Sequence, residues 1–132
     1  MSGRAGYYLH LQPGNCFIAA GMHCPENEKV HLIRDSIAQD NGQFRSIVEH
    51  KNFRNQIDDG IRGPKLKRPP RGYDTEHPDL EYLKLKGYIV LKNIPDKMYS
   101  DQDFIKTTMQ WFRNTQPFVD YLNVAIMKPD AI

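Results

Sequence analysis

The chain has 132 residues, of which 39% are hydrophobic and 26% are charged, and its net charge is +2. This length and composition fit one globular domain with a core of its own and exclude a wholly disordered chain. No apolar run approaches the roughly 18 to 20 residues of a membrane span, and the N-terminus lacks the apolar core of a signal peptide, so we expect a cytoplasmic protein without membrane association.

The first predicted element is a β-hairpin. Two segments rich in aromatic and apolar residues, Tyr7 to Gln12 and Cys16 to His23, flank Pro13-Gly14, which suits the central positions of a type II turn. Alternation predicts a core face made of Leu9, Leu11, Cys16 and Ile18. The other face would carry Tyr8, His10, Phe17 and Ala19, and because it is only half polar we expect something to cover it.

Helical periodicity follows the hairpin. Pro25 suits a first helical position, and Val30, Ile33 and Ile37 at three- and four-residue spacing predict an amphipathic helix that ends near Asp40. A shorter helix is predicted from Gln43 to His50.

A long connection from Asn52 to Tyr73 has no clear period, and such surface connections are usually either functional or mobile. Its charge is one-sided, because the stretch between Gly60 and Tyr73 has no acidic residue and five basic ones: Arg62, Lys65, Lys67, Arg68 and Arg71. The positive charge of the chain is therefore local.

Three further elements complete the pattern. A helix is predicted from Asp79 to about Lys86, and a strand from Gly87 to Ile94 would join the sheet of the hairpin. Ser100 and Asp103 resemble a capping box before a last helix that Pro117 interrupts or restarts. We therefore predict a single α+β domain over residues 1–132, with a small, mainly antiparallel sheet of a β-hairpin plus a further strand, covered by amphipathic helices.

The turn that enters the Asp79 helix is the candidate site. Arg71, Asp74 and His77 lie within seven residues, and the start of a helix favours an anion such as phosphate or carboxylate. Arg71 would bind the anion through a bidentate contact, and Tyr73 would offer a stacking plane or a hydroxyl. His77 would lie beside the helix start. Lys67 and Arg68 would add electrostatic attraction for the anion. An anionic ligand is therefore the expected partner.

Three other interpretations stay open at this point. A purely structural role also explains the turn, with Asp74 or Thr75 capping the helix, Arg71 pairing with Asp74 and His77 binding a backbone carbonyl. An enzyme would use His77 and Asp74 as an acid–base pair on an anionic substrate. Nucleic-acid binding through the basic loop 62–71 is possible but not favoured, because no reading motif accompanies the positive charge.

Neither a disulfide nor a metal site is predicted. In one extended strand the Cα atoms of Cys16 and Cys24 would be about 26 Å apart, so both are expected to be free thiols. The nearby imidazoles lack the spacing of metal ligands, and no nucleotide-binding or hydrolase motif occurs, so no cofactor is expected.

Four motifs together resemble the DUF2461 family of conserved hypothetical proteins: GYYLHLQPGNCFIAAGMHCPE, IRDSI, PRGYDTEHPDLEYLKLKGYIV and FRNTQPFVDYLN. The resemblance supports the α+β fold and supplies no activity. Members of that family usually carry a further N-terminal half, so this chain resembles the C-terminal part of the family domain. The resemblance therefore implies an uncovered sheet edge and apolar surface, which favours a homo-oligomer.

Overall fold

The computed structural model describes residues 4–23, 25–97 and 102–127. Along the chain these residues form β1 (Gly6–His10), β2 (Cys16–Met22), α1 (Asn27–Gln39), α2 (Gln43–Val48), α3 (Lys51–Arg54), α4 (Leu80–Leu83), β3 (Tyr88–Ile94) and α5 (Phe104–Ile126). The predicted α+β class is confirmed. Cys24 and Ser100 lie outside the described residues, so the predictions that involve them have no structural counterpart.

The three strands form one antiparallel sheet with β2 at its centre. The β1–β2 hairpin closes as predicted, since the Asn15 N–H donates to the Gln12 carbonyl at 2.7 Å across Pro13-Gly14. Gly14 has φ of 78°, the left-handed value that a type II turn requires at its third position. The predicted third strand pairs with β2 along seven residues, from Tyr88 opposite Met22 to Ile94 opposite Cys16.

The core face of the sheet is only partly the predicted one. Cys16 and Ile18 are buried, whereas Leu9 is 42% exposed and Leu11 is 50% exposed, so their assignment to the core is wrong. The reason lies in the position of α5, which meets β1 near its start, where Tyr7 and Phe112 have ring centroids 4.9 Å apart. Toward the turn, β1 continues beyond this cover.

The opposite face of the sheet stays open on its β1 side. Tyr8 is 48% exposed there, and His10 stacks on Phe17 with ring centroids 4.8 Å apart. Ala19, which lies in the central strand, is buried. The expected cover of this face is therefore incomplete at the edge strand.

An aromatic cluster around Phe44 forms the centre of the core. The Phe44 ring lies 5.1 to 6.1 Å from four other aromatic rings, those of Tyr82, Tyr88, Phe118 and Tyr121. Phe44, Tyr88 and Phe118 are fully buried. These aromatic residues therefore fill the core, as their density in the sequence suggested.

Two helices differ from their predicted extents. α4 is a single turn, because after it the chain turns to pair with the long connection, where Leu66 N–H donates to Lys84 O at 2.8 Å and Lys86 N–H donates to Pro64 O at 2.7 Å. α5 is one continuous helix with Pro117 inside it. Burial of both halves of α5, with Trp111 before the proline and Phe118 after it, outweighs the one backbone bond that proline removes.

The long connection also covers one edge of the sheet. Asp58 N–H donates to Leu91 O at 2.7 Å, and Arg62 exchanges two backbone bonds with Ile89, of 2.6 and 2.9 Å. The outer edge of β3 is thereby paired, although the sequence of this segment has no strand period. None of the helices in the described part of the chain is long and apolar enough to cross a membrane.

Candidate functional site

The turn from Pro70 to Pro78 is closed by its own backbone. Tyr73 N–H donates to Pro70 O at 3.4 Å, and His77 N–H donates to Asp74 O at 3.1 Å. The Asp74 carboxylate accepts the Glu76 N–H at 2.9 Å. Asp74 therefore stabilises the turn locally, two residues ahead, as aspartate commonly does in turns.

Both ring nitrogens of His77 are occupied by backbone groups. Nε2 lies 3.0 Å from the Ala38 carbonyl of α1, and Nδ1 accepts the Asp79 N–H at 2.9 Å. A carbonyl only accepts and an amide N–H only donates, so these two contacts fit the tautomer with its proton on Nε2. His77 thus links the turn to α1 and has no free nitrogen for proton transfer.

Tyr73 is the second link between the turn and α1. Its hydroxyl donates to Asp35 Oδ1 at 2.5 Å, and the side chain is half-buried. Burial and then this bond to a carboxylate raise the pKa of Tyr73. The hydroxyl of Tyr73 is therefore bonded within the protein, and its ring is partly covered.

Two arginines with structural roles were not singled out from the sequence. Arg45 pairs with the buried carboxylate of Asp79 at 2.9 Å. Arg34 is 6% exposed and donates to the Leu85 carbonyl at 3.1 Å, while its Nε has no hydrogen-bond partner among the residues that the structure describes. Arg34 occupies an inward position beside Ile33 and Ile37, so the apolar pattern of α1 gave no signal for it.

The basic residues of the connection divide into two groups. Arg62 pairs with Asp59 at 3.2 Å, and Lys65 pairs with Glu81 at 2.6 Å. Hydrogen bonds from Lys65 and Lys84 hold the pKa of Glu81 below its ordinary value. The second group, Lys67, Arg68 and Arg71, is exposed and has no hydrogen-bond or ion-pair partner among the described residues. We call these three residues the basic patch.

The three polar groups at the centre of the predicted site have different partners. Asp74 binds the turn and His77 binds α1, while Arg71 is exposed to solvent. The predicted pairing of Arg71 with Asp74 is absent from the ion pairs of the described residues. Within the same part of the chain, no group of three or more metal-type ligands comes together.

A three-stranded antiparallel sheet with packed helices, and a basic patch that reaches from the long connection into the turn, define a small α+β protein with a cationic loop. The chain belongs to the family described as Conserved hypothetical protein (DUF2461), whose model matches residues 1–121. This match confirms the resemblance seen in the motifs. Comparisons with curated proteins and with solved structures give no match.

Proposed function

We propose that this protein is a binding module for a polyanionic ligand that carries phosphate groups, held by Lys67, Arg68 and Arg71. The observation that supports the proposal is the contrast within one loop: Arg62 and Lys65 have acidic partners, whereas the basic patch has none in the described part of the chain. Unpaired exposed cations can bind phosphate without first breaking an internal ion pair. Arginine adds a forked contact that matches the oxygens of phosphate.

In this proposal the hydrogen bonds of the turn hold the loop in one conformation, and the anchoring residues do not contact the ligand. The Tyr73 bond to Asp35 and the His77 bond to Ala38 anchor the residues that follow Arg71, and the Leu66 bond to Lys84 anchors those before Lys67. A loop that is already ordered loses less conformational entropy when a ligand binds. His77 and Asp74 serve as anchors here, and the acid–base alternative lacks a free ring nitrogen.

The test compares wild type with Lys67→Ala plus Arg68→Ala in the binding of inorganic polyphosphate over a series of salt concentrations. We expect the substitutions to weaken binding. The plot of log binding constant against log salt concentration should become less steep, by about 2 in the magnitude of its slope, because two phosphate contacts are lost. Lys51→Ala plus Arg54→Ala is the matched control, since it removes the same two residue types from the exposed surface of α3.

An unchanged salt midpoint in the Lys67→Ala, Arg68→Ala protein would overturn the proposal, as would an equal loss in the control. Single-stranded DNA with the same charge as the polyphosphate is the second ligand, and it tests the alternative that the protein binds nucleic acid. Because Tyr73 is bonded to Asp35, we expect polyphosphate to bind at least as tightly as DNA.

Self-association is the second proposed role, and the outer edge of β1 favours it. β1 ends the strand order, and its residues are exposed on both faces, with Tyr7 at 38% and Tyr8 at 48%. The strand carries no Asp, Glu, Lys or Arg that would oppose pairing with another copy. Two copies would pair β1 with β1 across a twofold axis and continue the sheet.

A cytoplasmic location is part of the same proposal. Cys16 is a buried free thiol, which suits a reducing compartment.

A further inference from the structure

A second surface feature lies far along the chain from the basic patch, between the end of β3 and the first turns of α5. This depression, which we call the α5 cleft, has a volume of about 430 Å³, within the usual range for small-molecule sites. Its apolar wall consists of Ile18, Ile94, Phe104 and Trp111. Ile18, Ile94 and Trp111 belong to the core, so the wall of the cleft is rigid.

Hydrogen bonds fix the polar side of the same wall. The Trp111 indole N–H donates to the Gln56 carbonyl at 2.7 Å, and Asn114 Nδ2 donates to Gln56 Oε1 at 2.6 Å. These two bonds join α5 to the segment after α3. The fold itself therefore holds this side of the cleft in place.

Lys92 breaks the pattern of its strand at this cleft. Residues on the helix-facing side of β3 alternate as Tyr88, Val90, Lys92 and Ile94, and the three apolar members are buried. Lys92 lies opposite Ile18, which is 3% exposed, and lines the cleft. Lys92 is itself exposed, so it places a charged side chain beside the cleft in a row whose other members are apolar.

The side chains of Lys106 and Thr108 also line the cleft without a partner in the described part of the chain. Lys106, on the first turn of α5, has no ion-pair partner among the described residues, and the same is true of Lys92. Thr108 is 6% exposed, and its hydroxyl makes no hydrogen bond to any residue that the structure describes. One acidic residue, Asp103, also lines the cleft, so two lysines leave the lining with a net positive charge.

We propose that the α5 cleft binds a small amphipathic anion. An aryl or alkyl body packs against Trp111, Phe104 and Ile94, and a carboxylate at one end pairs with Lys92 and Lys106. The apolar wall explains why the body is hydrophobic, and the two unpaired ammonium groups explain why the ligand is an anion. The Thr108 hydroxyl adds a hydrogen bond at the cleft wall.

The test uses 4-phenylbutanoate and its uncharged analogue 4-phenylbutanamide as probes, followed by NMR of the backbone and of the indole N–H. Trp111 is the only tryptophan of the chain, so its indole signal reports on the cleft without ambiguity. We expect a saturable shift of this signal with 4-phenylbutanoate. Affinity for the amide should be lower on the order of fivefold, the effect of exposed charge pairs.

Lys92→Gln plus Lys106→Gln should reduce the affinity for 4-phenylbutanoate to that of the amide. Lys51→Gln plus Lys86→Gln is the matched control, because it removes two exposed lysines outside the cleft and should leave both affinities unchanged. The proposal is overturned by the absence of a saturable indole shift, by equal affinity for acid and amide in wild type, or by an equal loss in the control. None of these results depends on the basic patch.

Discussion

Arg45 and Asp79 form an ion pair whose two members differ in burial. The Asp79 side chain is 1% exposed, whereas that of Arg45 is 38% exposed, and their closest atoms are 2.9 Å apart. A buried carboxylate needs its partner more than a half-exposed guanidinium does, because the guanidinium can turn to water. The free energy of unfolding should therefore respond unequally when each member is removed.

We expect Arg45→Ala to lower the free energy of unfolding by about 3 kcal/mol, since it leaves a buried charge without a partner. Asp79→Asn should cost about 1 kcal/mol, because it removes the charge and keeps a hydrogen-bonding side chain. Urea denaturation measures both. Arg54→Ala is the control and should change stability by less than about 0.5 kcal/mol. A similar cost for Arg45→Ala and Asp79→Asn would contradict this explanation.

The residues of the candidate turn were predictable from sequence, and their partners were not. Arg71, Tyr73, Asp74 and His77 stand together in the chain, so their proximity is a local fact. Tyr73 binds a carboxylate 38 residues away, and His77 binds a carbonyl 39 residues away. Such partners depend on how α1 docks, which periodicity does not specify. Whether the basic patch binds an anion remains a prediction.

At the scale of elements, the sequence was informative where the signals were local. The Pro13-Gly14 turn, the period of α1 and the composition of β3 predicted these elements within about two residues of their bounds. α4 was predicted too long because its end is set by backbone bonds to the distant connection. Edge pairing by residues 58–62 was missed for the same reason, since nothing in their own sequence has a strand period.

Gly21 is an element-scale feature whose importance the sequence did not reveal. It lies inside β2 with φ of 125°, and a Cβ there would be 2.0 Å from the Tyr88 carbonyl oxygen. We expect Gly21→Ala to cost about 3 kcal/mol or more, because strain adds to a clash with a backbone atom that cannot move without breaking the β2–β3 pair.

Gly14→Ala is the matched comparison, since Gly14 also has a positive φ but no atom lies within 4 Å of the added Cβ. Its cost should be about 1 kcal/mol, the effect of a left-handed backbone alone. Urea denaturation followed by circular dichroism measures both variants. Equal costs would show that the contact with Tyr88 is not the cause.

At the scale of the whole molecule, the two edges of the sheet differ in whether another segment of the chain pairs with them. The long connection pairs with the outer edge of β3, and no described strand pairs with the outer edge of β1. An open edge with apolar side chains on both faces is a template for strand addition. The proposed homo-oligomer therefore forms through β1 and not through β3.

We expect wild type to sediment as a dimer and Tyr8→Lys to sediment as a monomer, because a lysine at this position opposes strand pairing. Val124→Lys is the control, since Val124 is 71% exposed on α5 and should be irrelevant to the edge. Analytical ultracentrifugation separates the states. A monomeric wild type, or a control that dissociates as readily as Tyr8→Lys, would exclude the β1 interface.

Asn123 contacts both backbone groups of Ala5: its Oδ1 accepts the Ala5 N–H at 2.8 Å, and its Nδ2 donates to the Ala5 carbonyl at 3.3 Å. These residues are 118 positions apart. The hairpin can close by itself as soon as β1 and β2 have been translated, but the side chain that holds its leading strand is translated about a hundred residues later. While the residues between the two are made, the nascent chain therefore carries a closed hairpin whose leading strand is not yet held by Asn123.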